Sequence, residues 1–595
     1  MSDVIGIDFG TTNSLITFVD ESGVRSFLTD SDRPHPSMVC YSGSAPICGT
    51  DAKRRFEGQL HSESEGIVRS PKRLLGTGTH YVLGREMAPA AVIADLMKFL
   101  REDAESRRGG KTFNKAVVSI PVGLDGRCRR ELRDALMQAE INVVQFVHEP
   151  LAALYAFFRA REGRSRSYEG LVGELALVFD WGGGTLDLTL CQLGAASLTQ
   201  VANFGDNEVG GDYIDEALMR YVIDKEASAQ SAETFQARQE APGARARLLE
   251  ACEQAKIILS SRNSHLIYIE GFFFGGPEDN DFECLLRRDE FDEVARTFVE
   301  RGLKAVDHVL ARLNIDRRRV ALCIATGGMV NIPAIADRLT QIFGSDRLHI
   351  SSRGDRIISE GCAWIAFDHT QLRLAKPVEV QEARESFFSI FKAGDFLPDE
   401  GDVIPAELSM YCVDPSDGVA KIKLARPRQL GKVSAHDPRD NYAVLAVRVE
   451  PAAEPFMERI SLNFAIDHDL ILKVIAESQL LGDHDQAEIF DIEFSLDASP
   501  LRSHGGVEDT SVSEPGEIII PAHPGEVRAR SNVATRVAWE LVPGEILYKF
   551  KKILFDRRNP RPLPEIVQKE RLFYERCSVC GLRSHDPACK CASYT

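Results

Sequence analysis

The sequence predicts a two-lobed α/β domain, an all-β sandwich behind it, and a small cysteine-rich element at the C-terminus. Three observations carry this. Residues 1–370 alternate β-branched runs with segments of helical periodicity, the pattern of a mixed α/β architecture. Within them, "GIDFGTTNSL" (6–15) and "VFDWGGGTLDLTL" (178–190) share one form: apolar strand, Asp, aromatic, Gly, Thr, apolar strand. That repeat suggests two related halves, each offering a hairpin to a common cleft. From about residue 371 helical periodicity stops and short alternating runs take over, as in a β-sandwich. A chain of 595 residues is also too long for one core, so several domains are expected.

In chain order, "VIGIDFG", "SLITFVD" and "AVVSIPV" are short, β-branched and bounded by Gly, Pro or Asp, and they predict strands. "APAAVIADLMKFLREDAE" and "RRELRDALMQAE" carry apolar residues at helical spacing. "LALVFDWGGGTLDLTLCQL" is a second strand–turn–strand. "DYIDEALMRYVI", "ARARLLEACEQAKIILSS" and "DEFDEVARTFVERGLKAVDHVLARL" predict helices, and "VALCIATGG" a buried strand ending in glycines. Residues 371–384 form a linker and 385–500 the β module, where "AELSMYCVD", "AKIKLAR", "YAVLAVRVE" and "EIFDIEFSL" each predict a strand. A Ser/Gly-rich linker (501–516), a β-like extension (517–550) and a short helix with the cysteine-rich end (551–595) follow.

With 44% hydrophobic and 27% charged residues the composition is that of an ordinary globular protein. A net charge of −18 argues against nucleic-acid and anionic-membrane partners. No basic segment followed by an apolar run opens the sequence, and no run is long enough to span a bilayer, so a cytoplasmic location is expected. Nine of the 13 cysteines are scattered, many inside apolar segments, and predict buried free thiols. The other four make a C-x-x-C pair, Cys577 and Cys580, and a C-x-C pair, Cys589 and Cys591. Four thiolates in two close pairs suit tetrahedral Zn²⁺, with His585 an alternative ligand; the competing reading is a tail of free thiols.

The hairpin tips carry the chemistry. Gly10 gives conformational freedom, and Thr11 and Thr12 add hydroxyl donors for phosphate oxygens. Asp8 at a strand end suits Mg²⁺ held through water. Alone, this hairpin reads better as a structural turn than as a phosphate site. The second hairpin adds Asp180, Gly182, Gly183, Gly184, Thr185 and Asp187. Two such turns clamp the β- and γ-phosphates from opposite lobes, with a divalent ion among Asp8, Asp180 and Asp187 offsetting their charge. Thr326, Gly327 and Gly328 make a third glycine turn, suited to close approach of a nucleoside.

In order along the chain stand "IGIDFGTTNS", "SPKRLLG", "AVVSIPV", "EPLAALYAF", "VFDWGGGTLD", "NEVGGDYID", "LLEACEQAKIILSS", "ATGGMVNIP" and "GDRIISEGCA". This set resembles the nucleotide-binding domain of the heat-shock protein 70 family, the DnaK-type chaperones, within the actin-like ATPase superfamily. The resemblance implies roles. Asp8 and Asp187 would orient the Mg²⁺ water shell. Gly10, Thr11, Thr12, Asn13 and the 182–184 glycines would hold phosphates, and Thr185 would contact the γ-phosphate. Lys72 would position the γ-phosphate and attacking water, and Glu149 would sit on the metal side. Glu253, Lys256 and Ser260, on one helix face, would line the ribose and adenine side. Gly210, Gly211, Gly327, Gly328 and Asp355 would complete the pocket. The chemistry implied is slow transfer of a phosphoryl group from ATP to water, giving ADP, where positioning and charge neutralisation dominate.

The sequence departs from the family at the base end. Ile257 replaces an Arg, and "GGMVNIP" puts Met329 and Asn331 where Ser and a second Arg are usual. An aliphatic and amide environment loses cation–π stacking on the base. Pro121 and Arg129 match interdomain positions, but Gly123 replaces a Tyr, and only Leu372 and Leu374 echo the usual linker. The β module resembles the family's peptide-binding sandwich, and no long helical lid follows residue 500. The expectation is an ATP-dependent chaperone-like protein binding extended polypeptide, with J-domain-type co-chaperones or exchange factors as partners. A nucleotide-sensing adaptor with little turnover is the alternative. A small-molecule kinase of the same superfamily fits poorly with the appended β module.

Overall fold

The computed structural model describes residues 4–502 and the strand Leu541–Pro543; within the first range 59–65, 161–166, 207, 230–238, 242, 275–279, 352, 383–385, 399–400, 432 and 435 fall outside it. The first lobe is built on β1 (Val4–Phe9), β2 (Asn13–Asp20), β3 (Gly23–Ser26), β4 (Lys115–Ile120) and β5 (Asn142–His148). Their order is β5-β4-β1-β2-β3, with β1 antiparallel to β2 and parallel to β4. The second lobe uses β6 (Leu175–Trp181), β7 (Leu186–Leu193), β8 (Ser197–Asp206), β9 (Val320–Thr326) and β10 (Leu348–Ile350), in the order β10-β9-β6-β7-β8. The two sheets thus repeat one topology: a hairpin, a third meander strand, then two parallel strands reached by crossovers. The sequence repeat is the local trace of this duplication.

Beyond them come β11 (Leu372–Leu374) and the sandwich strands β12 (Val378–Gln381), β13 (Phe387–Phe391), β14 (Val403–Cys412), β15 (Val419–Pro427), β16 (Arg439–Arg448), β17 (Arg459–Asp467), β18 (Leu472–Ser478) and β19 (His484–Ile489). Two more strands follow, β20 (Phe494–Asp497) and β21 (Leu541–Pro543). One sheet of the sandwich runs β13-β12-β15-β16 and the other β19-β18-β17-β14-β21.

The boundaries differ from the sequence expectation at both ends of the β module. β12 lies within 371–384 yet pairs inside the sandwich with β13 and β15. β20 lies within 385–500 yet leaves the sandwich and pairs with β8 of the second lobe, and β11 pairs with β20. The seven-stranded sheet therefore runs β10-β9-β6-β7-β8-β20-β11. Leu372 and Leu374 are buried there, because alternation in "LRL" turns both leucines into the core. One apolar cluster runs from Ile5 and Phe9 of the first lobe through to Leu472 and Leu501, so the sandwich is packed against the α/β body.

All nine scattered cysteines are buried and free, as expected. The proposed zinc ligands Cys577, Cys580, Cys589 and Cys591 lie outside the described residues. No helix among the described residues is long and apolar enough to cross a membrane.

Candidate functional site

The β1–β2 hairpin pairs Asp8 with Leu15 and Phe9 with Ser14, which leaves residues 10–12 at its tip. A methyl group on Gly10 would stand 2.2 Å from the Asn13 carbonyl oxygen, so the turn admits only glycine. Ser37 braces it from behind: its Oγ donates to the Gly10 carbonyl and its N–H to the Thr12 carbonyl, both at 2.8 Å. The β6–β7 hairpin sets Asp180 opposite Asp187, and the Gly182 N–H donates to the Thr185 carbonyl at 2.9 Å.

The two tips meet. A methyl group on Gly183 would lie 2.8 Å from Oγ1 of Thr12, and one on Gly184 would lie 3.4 Å from Oγ1 of Thr11. The third turn passes beneath them: Gly327 has φ +87, and a methyl there would stand 2.3 Å from the Trp181 carbonyl.

Between the tips opens a cleft of about 1530 Å³. It is lined by Asp8, Gly10, Thr11, Thr12, Asn13, Lys72, Glu149, Asp180, Gly182, Gly183, Gly184, Thr185, Asp187, Gly211, Glu253, Lys256, Ser260, Gly327, Gly328 and Asp355. Gly210 is the exception. It sits behind the second tip, where a methyl would meet the Gly183 carbonyl oxygen at 2.2 Å, so its place is close backbone packing.

The floor of the cleft holds four carboxyl groups around one ammonium. Nζ of Lys72 donates to Oε1 of Glu149 at 3.0 Å. Burial pushes Asp8 up to about 6; Glu149 adds to this, while Lys72 and the Ser119 hydroxyl oppose it. Burial and Glu149 push Asp187 up to about 7 against the Thr185 hydroxyl, which donates to it at 2.9 Å, and Lys72. Asp180 is raised well above the carboxylate range by burial, then by Glu149, Asp187 and Asp8. Burial works against the charge of Lys72, but Glu149 and Asp8 outweigh it and hold the ammonium protonated. This excess of negative charge fits a divalent cation. Among the described residues, no three Asp, Glu, His or Cys side chains are grouped to ligate an ion directly.

Another wall of the cleft is carried by helix Ala244–Leu259, which presents Glu253 and Lys256, with Ser260 at its C-cap. Nζ of Lys256 lies 2.5 Å from Oδ2 of Asp215 and 3.2 Å from the Gly211 carbonyl. Burial pushes Asp215 up to about 7 despite Lys256. Ile257 lines the cleft with 46% of its surface exposed. Met329 is buried, and Asn331 donates from Nδ2 to the Gly328 carbonyl at 3.2 Å. Asp355 stands at the mouth, 3.5 Å from Nε of Arg356.

Sequence reasoning missed several partners. Ser119 Oγ donates to Oδ1 of Asp8 at 2.9 Å. Arg73 pairs with Asp212 across the cleft, and Lys53 with Glu250 at 3.2 Å. Arg73 and Asp212 each neighbour a residue already singled out, Lys72 and Gly211, which is the one signal that marked them. At the junction with the β module, Arg129 is fully buried. It donates to the carbonyls of Leu124 (2.8 Å), Leu470 (3.1 Å) and Phe490 (2.9 Å).

An α/β body with two facing phosphate-type hairpins and an attached β-sandwich defines a class of nucleotide-binding proteins, and comparison with known proteins narrows it. The Hsp70 protein family model matches residues 4–82 and 78–498, and the chain belongs to that family. It is 27% identical over 485 residues to "Chaperone protein DnaK" of Thermosipho melanesiensis, covering 80% of this chain and 78% of the relative. It is 31% identical over 363 residues to "Chaperone protein DnaK" of Mycoplasmopsis agalactiae, covering 60% of this chain and 58% of the relative. Members of the Hsp70 family are ATPases that use ATP/ADP and Mg²⁺.

Proposed function

We propose that this chain is a DnaK-type, chaperone-like protein that binds ATP in the cleft, hydrolyses it slowly, and binds extended polypeptide through its β sandwich. The observation that carries the hydrolytic reading is the buried Lys72–Glu149 pair beside Asp8 and Asp187. A protonated ammonium held at that point suits the γ-phosphate and the water that attacks it. Mg²⁺, held through water by Asp8, Asp180 and Asp187, would neutralise the phosphates. Thr11, Thr12, Thr185 and the glycine turns would supply hydroxyl and backbone donors to the phosphate oxygens. The bond to the γ-phosphorus breaks on the ADP side as water adds, and orthophosphate leaves with the displaced proton. J-domain-type co-chaperones and exchange factors are the partners this role calls for, and zinc in the C-terminal cysteines is part of the same reading.

The deciding experiment is phosphate release by the purified chain beside Lys72→Ala and Asp8→Asn. Turnover in the parent that both variants abolish supports the ATPase. Tight nucleotide binding with no turnover in the parent overturns it and leaves the nucleotide-sensing adaptor. That second reading is favoured by one observation: Ile257, Met329 and Asn331 line the cleft without the arginine side chains that the resemblance leads one to expect there.

A further inference from the structure

The outer edge of β14 accepts a strand, and the chain supplies one. On its inner side β14 pairs with β17 from Val403↔Asp467 to Tyr411↔Arg459 without a bulge. On its outer side, among the described residues, it carries only β21, antiparallel, with Met410 opposite Pro543, Tyr411 opposite Val542 and Cys412 opposite Leu541. The Cys412 N–H donates inward, to the Glu458 carbonyl at 2.9 Å. Backbone groups alternate along a strand, so those of Tyr411, Ser409 and Glu407 point outward. Tyr411 and Val542 are therefore the pair that exchanges backbone hydrogen bonds.

An outer strand with unpaired N–H and C=O groups is a template for another chain, and natural edges are blunted by proline and charge. In β14 both devices lie in the first half, as Pro405 and Glu407. The half from Leu408 to Cys412 has neither, and β21 sits on that half. Pro543 stands opposite Met410, whose backbone groups face β17, so its missing N–H costs this ladder nothing. Three residues make a weak ladder, since each backbone hydrogen bond is worth about 1 kcal/mol net. It holds because it is intramolecular, and it yields to a longer extended segment able to pair onward toward Val403.

We propose that Leu541–Pro543 is a tethered occupant of the β14 edge, and that an extended polypeptide entering the β module displaces it. The proposal rests on the peptide-binding reading above and adds a competitor within the chain. It makes peptide affinity depend on a segment far outside the sandwich in sequence.

The test compares the full chain with full-chain Val542→Pro, which removes the N–H facing Tyr411 and leaves the sandwich sequence intact. The first readout is binding of a fluorescein-labelled Leu/Val heptapeptide by anisotropy. The second is hydrogen exchange of the 408–412 segment by mass spectrometry. The expected result is about fivefold tighter peptide binding by the variant, the equivalent of one net hydrogen bond, with faster exchange at Tyr411 when peptide is absent. Equal affinity in both proteins overturns the competitor and leaves peptide binding standing. If neither protein binds the heptapeptide, the peptide-binding reading fails, and exchange alone decides whether β21 sits on the edge: faster exchange in the variant upholds the contact, unchanged exchange overturns it.

Discussion

Nζ of Lys72 stands 3.0 Å from Oε1 of Glu149, and both side chains are about nine-tenths buried, with relative exposures of 11% and 10%. Lys72 comes from a short helical turn whose N-cap, Ser70, has φ 50, and Glu149 opens helix Glu149–Arg159. Two separate elements thus bring one cation among four carboxyl groups. Lys72→Ala removes it, and we expect phosphate release to fall about 10²- to 10³-fold, the usual cost of losing one preorganised electrostatic contact. Glu149→Gln should keep the fold and lower turnover less, because Asp8 still holds the ammonium in place. A steady-state phosphate assay with saturating Mg-ATP checks both. Lys72→Ala turning over like the parent would remove Lys72 from the chemistry.

The hairpin tips were legible in the sequence because their constraint is local: a tight turn that approaches another backbone needs glycine, and phosphate needs hydroxyls beside it. The burial of Lys376 was not legible, since lysine is ordinarily exposed and only its tertiary partners reveal otherwise. Strand β20 was hidden for a related reason. "EIFDIEFSLD" alternates like one strand, yet it breaks around Asp491 and Glu493, which pair with Arg426 and Lys376. Those partners are far away in sequence, and so is Ser119 from Asp8, so no spacing rule points to them.

Ile257 lines the cleft one residue from Lys256, half-exposed and with no guanidinium or ring to offer; on the proposed reading this is the base side. Ile257→Arg is expected to tighten ATP binding about two- to fivefold, the range of a cation–π contact at a half-exposed site of about 0.5–1 kcal/mol. Calorimetric titration with ATP and with ribose triphosphate tests this. A gain shared equally by the base-free ligand would mean the arginine acts on the phosphates and not on the base.

Lys376 joins three parts of the molecule. Its Nζ donates to the Val201 carbonyl of β8 at 2.7 Å, to the Arg428 carbonyl at 3.1 Å and to Oε1 of Glu493 at 3.2 Å. Glu493 is held in turn by Arg426 at 2.9 Å. Losing one partner of a buried pair costs about 3–5 kcal/mol when the other charge is left alone, but Glu493 would keep Arg426. Lys376→Met should therefore lower stability by only about 1–3 kcal/mol while freeing the sandwich from the α/β body. Solution scattering should show a larger radius of gyration, and limited proteolysis should cut between residues 371 and 378. An unchanged radius and an uncut linker would assign the docking to the Arg129 contacts instead.

His148 gives the docked strand a pH dependence. It is fully buried, its ring centroid lies 5.1 Å from that of Phe494, and its Nδ1 is 3.2 Å from Oε1 of Gln200. The same Gln200 oxygen accepts the Phe494 N–H at 2.8 Å. Burial pushes His148 down to about 3, with the nearby Arg129 charge adding and Gln200 opposing. The folded protein therefore holds it neutral, while the unfolded chain protonates near pH 6.5. Because the folded value is the lower one, its contribution is whole above about pH 6.5 and is lost progressively as pH falls toward about 3. At pH 5 the loss amounts to about 2 kcal/mol. His148→Gln removes the titrating ring, so its melting temperature should fall less than the parent's between pH 7.5 and pH 5. Parallel falls in the two proteins would show that other groups drive the acid instability. The parent should also expose its 371–378 segment to protease sooner at pH 5 than the variant does, because the ring that acquires the proton packs against the strand that anchors the β module.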